Sequence, residues 1–343
     1  MLFSFLFDLV SSLELYFVRK IYHKWIHPEN LPTKVRIDAS TMCQLRCEGC
    51  GFQKSNHRGL GGGFLRLKDF EAFLQDNPQI ERVELSNYGE IFLNPELIPI
   101  MKCAFEHSVS LTAEMGVNFN HVTPEQLNAL IDYQFSYLSI SIDGASQNTY
   151  AQYRIGGNFD RVMENLKKLQ DLKRIRNSHK PELRWQYVIN QYNEKEIALA
   201  KKMAEELEIP IYFKLNFMKS YIPVHEKLIH QETGLECITR DEYLQKYKLP
   251  YLNEDCLQIF NDPQFNWDGN LLGCCRVETA IYGTNLFHDG LKAALISDNF
   301  IRTKELLLQK FPSKKRYSDL YCWNCQLRKG RAKFLKRLEL PKT

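Results

Sequence analysis

Ten cysteines in a chain of 343 residues carry most of the available chemistry, and they are unevenly spread. Three of them lie in Cys43-Gln-Leu-Arg-Cys47-Glu-Gly-Cys50, just after Val35-Arg-Ile37-Asp-Ala39-Ser40, an apolar alternation that reads as a strand. A loop leaving a strand end can fold three thiolates around one face of a metal centre. Three are one short of a closed four-cysteine site, so in a four-iron cube one iron stays open to another molecule. The competing reading is a zinc knuckle completed by His57. A second set, Cys256, Cys274, Cys322 and Cys325, has four thiols, enough to saturate one cluster or one zinc, and Cys275 can stand in for Cys274. Cys103 reads as a buried helix residue. Cys237 is an isolated thiol, and the candidate hydrogen-atom donor if the reaction is an epimerisation.

The elements that must position these groups alternate regularly. Helix patterns at Lys68–Asp76, Pro95–His107, Pro124–Tyr133 (Thr123 as N-cap), Phe159–Arg176 and from about Glu194 separate strand patterns. The strands are expected at Arg82–Ser86, Val109–Ala113, Tyr137–Gly144, Leu183–Asn190 and Ile211–Phe217, giving six with the first. By pattern alone this is a parallel α/β fold. Residues 218–255 read as irregular and as a source of substrate contacts, and Phe265 to Leu272 as a hairpin turning at Asp268-Gly269.

Several motifs, in order, resemble the radical S-adenosylmethionine (SAM) superfamily, whose signature is Cys-x3-Cys-x2-Cys. Cys43, Cys47 and Cys50 match it, and Tyr88-Gly89-Glu90 at the end of the second strand is similar to its Gly-Gly-Glu motif. Ser141 and Asp143 end the fourth strand, and the text through Arg154 to Asp160 is very like the family's. The resemblance implies a partial (β/α)6 barrel with a 4Fe–4S cluster on the triad and SAM chelating its open iron. Tyr88, Gly89 and Glu90 would then receive the SAM amino group, Ser141 or Asp143 its ribose, and Arg154 its carboxylate. Where the family has an aromatic beside the adenine, this chain has Gly49, and Phe52 is the candidate substitute. Met115-Gly116 likewise replaces the family's Asn-Gly. The order Cys256, Gly269-x4-Cys274, Cys322-x2-Cys325 resembles a SPASM/twitch extension, nearer the shorter twitch type, and implies an auxiliary 4Fe–4S cluster that accepts electrons.

The expected organisation is an N-terminal amphipathic helix and linker (1–32), the partial barrel (33–218), a connecting substrate segment (219–255), the auxiliary module (256–326) and a basic tail (327–343). Residues 1–27 lack the basic start and clean apolar core of a signal peptide, and the unbroken apolar run of a spanning helix. They read either as a cover for the barrel or as a membrane-surface anchor with Arg19, Lys20 and Lys24 toward lipid phosphates. A net charge of +4, dispersed, gives no case for nucleic acid. Clustered thiols favour metal sites in a reducing cytoplasm, with membrane association as the alternative. The expected activity is reductive SAM cleavage and hydrogen-atom abstraction, fed by flavodoxin or ferredoxin. The expected outcome is oxidation of a small polyhydroxylated substrate, a sugar or aminocyclitol. The alternatives are modification of a ribosomal peptide, or a non-catalytic iron–sulfur electron carrier.

Overall fold

The structure, a computed structural model, describes residues 31–47, 49–50, 59–218, 220–252, 256–279, 281–308 and 312–328. The expectations for residues 1–27, Phe52, His57 and nearly all of the basic tail fall outside these residues.

All six expected strands are present: β1 (Lys34–Ile37), β2 (Arg82–Glu84), β3 (Ser110–Val117), β4 (Tyr137–Ser141), β5 (Glu182–Ile189) and β6 (Ile211–Leu215). They lie side by side in chain order and all run parallel. The intervening helices are α1 (Leu67–Asp76), α2 (Leu97–Glu106), α3 (Pro124–Asp132), α4 (Gln147–Tyr153), α5 (Phe159–Ile175) and α6 (Ile197–Glu206). Strands so covered must be apolar nearly throughout, as in Val35, Ile37, Val83, Leu138 and Ile140, each at most 1% exposed.

Local sequence explains where the helices start. Thr123 and Gln126 form a reciprocal capping box at α3, while Ser146 caps α4 and Asn158 caps α5. Helix α5 buries Phe159, Val162, Leu166 and Leu169 along one stripe, three or four residues apart. Truncating Leu166 to Ala would cost about 2–5 kcal/mol. Buried Arg36 of β1 forms an ion pair, Nε to Asp262 at 2.6 Å. Nearby Glu84 accepts from Ser86 and Thr112.

Two findings differ from the sequence reading. The segment 219–255 holds two helices, α7 (Glu226–Thr233) and α8 (Arg240–Tyr247), the second capped by Thr239. Their exposed, polar faces blur the apolar period that would have marked them. After α9 (Gln258–Asn261), the expected hairpin, β7 (Gln264–Phe265) and β8 (Leu271–Gly273), does more than turn on itself. Strand β7 pairs in parallel with β1, extending the sheet to the order β6-β5-β4-β3-β2-β1-β7-β8. The outer edge of β1 would otherwise leave backbone groups unpaired. Short helices α10 (Leu291–Leu295), α11 (Asp298–Leu308) and α12 (Lys314–Tyr317) complete the described C-terminal part.

Candidate active site

The C-terminal ends of all six parallel strands open on one cavity of about 1030 Å³. Residues following β1 (Cys43, Cys47, Cys50) and β2 (Glu90) share its lining with residues at or just past the C-terminal halves of β3 (Asn118), β4 (Ser141), β5 (Gln186, Val188) and β6 (Lys214). Only a sheet curved into a partial barrel brings β1 and β6 to the same hollow, which is where such folds carry their sites.

Each thiol of the triad is set by specific contacts. The Cys50 amide donates to the Cys47 carbonyl at 3.0 Å, closing the Cys-x2-Cys turn. The Arg46 amide ties the loop to the Ile155 carbonyl. Asn118 Nδ2 stands 3.6 Å from Cys43 Sγ, and Arg154 Nη1 stands 3.6 Å from Cys47 Sγ. Donors aimed at sulfur favour the thiolate, the form that binds a metal. Burial works the other way, pushing the Cys43 thiol up to about 12, with Glu90 the next cause. Cys47 is also raised by burial, but Arg154 opposes the rise.

Gly89 sits at φ +66, and a Cβ there would stand 2.4 Å from the Ser40 carbonyl oxygen, so the turn after β2 packs directly on the cysteine loop's backbone. Glu90 anchors that turn. Its amide donates to the Met42 carbonyl, and its carboxylate accepts from the Asn118 amide at 2.6 Å. Burial pushes the Glu90 carboxyl up to about 7, held back by the Asn118 and Phe92 amides. Tyr88 also lines the cavity, while its hydroxyl donates toward the Cys275 and Val277 carbonyls, each at 3.1 Å.

Ser141 faces the cavity, hydrogen-bonded to Gln186. Asp143 is fully buried behind it. One carboxylate oxygen accepts from Arg154 Nε at 2.5 Å and the other from the Val188 amide at 2.6 Å. Asp143 therefore orients Arg154, which reaches the cavity. Burial disfavours the Arg154 charge, but Asp143 and the Cys47 sulfur outweigh it and hold its pKa above the usual value.

The two departures from the family text have visible consequences. A Cβ on Gly49 would stand 2.5 Å from the Tyr153 hydroxyl and 3.1 Å from the Phe217 ring, so those side chains occupy the space an aromatic there would take. At Gly116, φ is +120 within a β3 irregularity, and a Cβ would stand 2.2 Å from Ser141 Oγ. Three residues past Met115, Asn118 places an amide beside Cys43, which sequence reasoning missed. Arg240 was also missed as a cavity residue, and Lys214 stood unranked among the candidate bases of 214–255. Lys214 could have been found from its alternation on β6. The side-chain direction of Arg240 depends on α8.

Of the second set, Cys256, Cys274 and Cys322 are buried and Cys325 half-buried. The set converges: Cys274 lies within electrostatic reach of Cys275, Cys322 and Cys256, and Cys322 within reach of Cys325 and Cys256. The Cys325 amide donates to the Cys322 carbonyl at 3.3 Å, the same turn as at Cys47 and Cys50. Cys275 and Cys325 border the cavity that the first triad lines. Among the described residues no three His, Cys, Asp or Glu close on a single-ion position. Ligands to one zinc must all lie about 2.3 Å from a common point, whereas cluster thiolates bind separate irons and stand farther apart. Three thiols facing one hollow, with two donors trained on their sulfurs, fit an open-faced cluster, and four converging thiols fit a saturated one. Cys103 is buried on α2 beside His107. Cys237, between α7 and α8, is buried at 4% exposure and lies outside the cavity lining.

The model of the radical SAM superfamily matches residues 37–179, the stretch running from β1 to the end of α5. Those residues form a radical SAM domain. No curated protein matches the chain. Among solved structures, Streptococcus suis SuiB bound to precursor peptide SuiA is 14% identical with a TM-score of 0.62, covering 94% of this chain and 75% of SuiB. SuiB bound to S-adenosylmethionine gives 0.59 at 14% identity, over 87% and 72% of the two chains. The anSMEcpe structure with bound AdoMet gives 0.58 at 12% identity, over 85% and 86%. At these identities the likeness is one of fold. A radical SAM domain implies a 4Fe–4S cluster and SAM, and so an enzyme. No helix among the described residues is long and apolar enough to cross a membrane.

Proposed function

We propose that this chain is a radical SAM oxidoreductase in which Cys43, Cys47 and Cys50 hold the SAM-binding 4Fe–4S cluster and Cys256, Cys274, Cys322 and Cys325 an auxiliary one. When bound, these groups supply one-electron chemistry: cleavage of SAM to a 5′-deoxyadenosyl radical that takes a hydrogen atom from substrate, with the auxiliary cluster as electron acceptor. The observation that carries the reading is the shared cavity, bordered by thiols of both sets. The chain's own residues bind and orient. Gly89 gives the backbone close access, and Glu90 offers a carboxylate to an amino group. Arg154, steadied by Asp143, offers a cation to a carboxylate, while Ser141 and Gln186 offer hydrogen bonds to hydroxyls.

The polar wall formed by Ser141, Gln186 and Lys214 suits a small polyhydroxylated substrate, such as a sugar or aminocyclitol, oxidised at an alcohol carbon. A second reading, modification of a ribosomal peptide, is favoured by the likeness to SuiB in its complex with precursor peptide SuiA. A flavodoxin or ferredoxin would deliver electrons. Cys237 lies away from the cavity, which counts against its use as a hydrogen-atom donor. The test is anaerobic reconstitution with iron, sulfide, SAM and dithionite, then measurement of 5′-deoxyadenosine with deuterated cyclitols or peptides. Deuterium entering deoxyadenosine from one class identifies the substrate. No deoxyadenosine with either class, from protein holding about eight irons, would favour an electron carrier.

A further inference from the structure

Tyr88 stands where the motif's first glycine would be, and its side chain points out of the motif. The backbone of Asn87 and Tyr88 is pinned from one side by Asp38 at the end of β1, whose Oδ1 accepts both amides at 3.2 and 3.0 Å. From the other side the Tyr88 hydroxyl sits 3.1 Å from the carbonyl oxygens of both Cys275 and Val277, with Asn87 Nδ2 3.5 Å from the first. Burial, with Asp38 as the next cause, raises the phenol's pKa and keeps it a donor. The segment it grips is itself fixed. The Cys275 amide donates to Gln258 of α9 at 2.8 Å, the Val277 amide to the Cys274 carbonyl at 3.2 Å, and Val277 is fully buried. A shift of the Cys274 loop therefore has a short, hydrogen-bonded path to Gly89 and Glu90.

We propose that Tyr88 is the positioning residue through which the C-terminal cysteine loop sets the turn that receives SAM, so that filling of the C-terminal site and SAM binding are energetically coupled. The proposal rests on the radical SAM reading for the identity of the ligand. Coupling of this kind is reciprocal, and a double-mutant cycle detects it. A second tie, Gln264 Nε2 to Asp38 Oδ2 at 3.1 Å, links the same turn to β7 and stays intact when the phenol is removed.

The experiment compares the wild type, Tyr88→Phe, Cys322→Ser/Cys325→Ser and the combined variant, each reconstituted anaerobically, for SAM affinity by equilibrium dialysis. Loss of the C-terminal thiols should weaken SAM binding roughly three- to tenfold when Tyr88 is present, the worth of about one hydrogen bond. The same loss should change it about twofold or less in the Tyr88→Phe background. Independent, multiplying effects would overturn the proposal. Hydrogen exchange of wild type and Tyr88→Phe supplies a readout that needs neither SAM nor the serine variants. Exchange at 86–91 and at 274–278 should rise together, with 137–141 unchanged, and a rise in one segment alone, or in neither, would overturn the proposal. Coupled exchange in protein with no affinity for SAM would uphold the strut and discard the radical SAM reading.

Discussion

The two cysteine sets use the same local device to opposite ends. Each contains a Cys-x2-Cys turn closed by an amide-to-carbonyl bond, Cys50 to Cys47 and Cys325 to Cys322. Around the first turn Cys43 and Cys50 are partly covered and Cys47 is buried, all three line a cavity, and side-chain donors from just after β3 and from the end of α4 point at the sulfurs. Around the second, three of four thiols are buried, and the four come from three chain segments. On the proposed reading, a site that admits a small molecule trades enclosure for outside donors, while a site that only passes electrons can be more fully covered. The number of thiols and their burial thus distinguish the two sets even where the turns are alike.

The sharpest break of that comparison is Cys43→Ala/Cys47→Ala/Cys50→Ala. Deoxyadenosine should fall to the enzyme-free level while about four irons remain bound, read by mass spectrometry and iron assay. Cys322→Ser/Cys325→Ser should do the reverse at saturating SAM, keeping deoxyadenosine formation but losing oxidised product and about four irons. An equal loss of deoxyadenosine in both variants would erase the distinction. At the open site, Asp143→Ala strands a buried Arg154 and should destabilise the fold by about 3 kcal/mol in urea melts. Asp143→Asn should cost less and still weaken SAM binding.

The next effect in size is at Gly116. Gly116→Ala drives a methyl into Ser141 Oγ and should raise the SAM Kd several-fold with little change in iron content. The smallest effect concerns pH. Burial pushes the Asp38 carboxyl up to about 8 from an ordinary value near 3.8. The folded state thus keeps a proton that the unfolded state releases, and the stability this contributes is lost as pH rises toward 8. Asp38→Asn should flatten that slope and gain on the order of 1 kcal/mol at pH 8, measured against wild type by urea midpoints from pH 4 to 8.

How much could be read from the chain alone divides along the same line. The triad, Glu90, Arg154 and the six strands announce themselves locally, because a strand's alternation and a loop's cysteines are set by neighbours in sequence. Asn118 did not, since its value lies in a 3.6 Å approach to a sulfur 75 positions earlier. Gly49 looked like a missing aromatic until Tyr153 and Phe217 were seen to fill its place. Asp143 and Ser141 were indistinguishable as ligand contacts in sequence, but one is sealed behind the wall and the other faces the hollow. Tyr88 read as part of the amino-group-binding motif, and no local pattern could show that its hydroxyl serves a loop 187 positions away.

The pairing of β7 with β1 also bears on how the protein is made. Strand β1, from which the Cys43 loop hangs, finds its outer neighbour and its Arg36–Asp262 ion pair across 226 residues of chain. Contacts of such sequence separation form late, after shorter-range pairings. During synthesis the sheet from β1 to β6 can assemble while this flank is still bare, leaving an unpaired edge that invites association with other chains. Completion of the hairpin caps that edge and brings the second cysteine set beside the first. The topology therefore lets the barrel form first and seats the second cysteine set last.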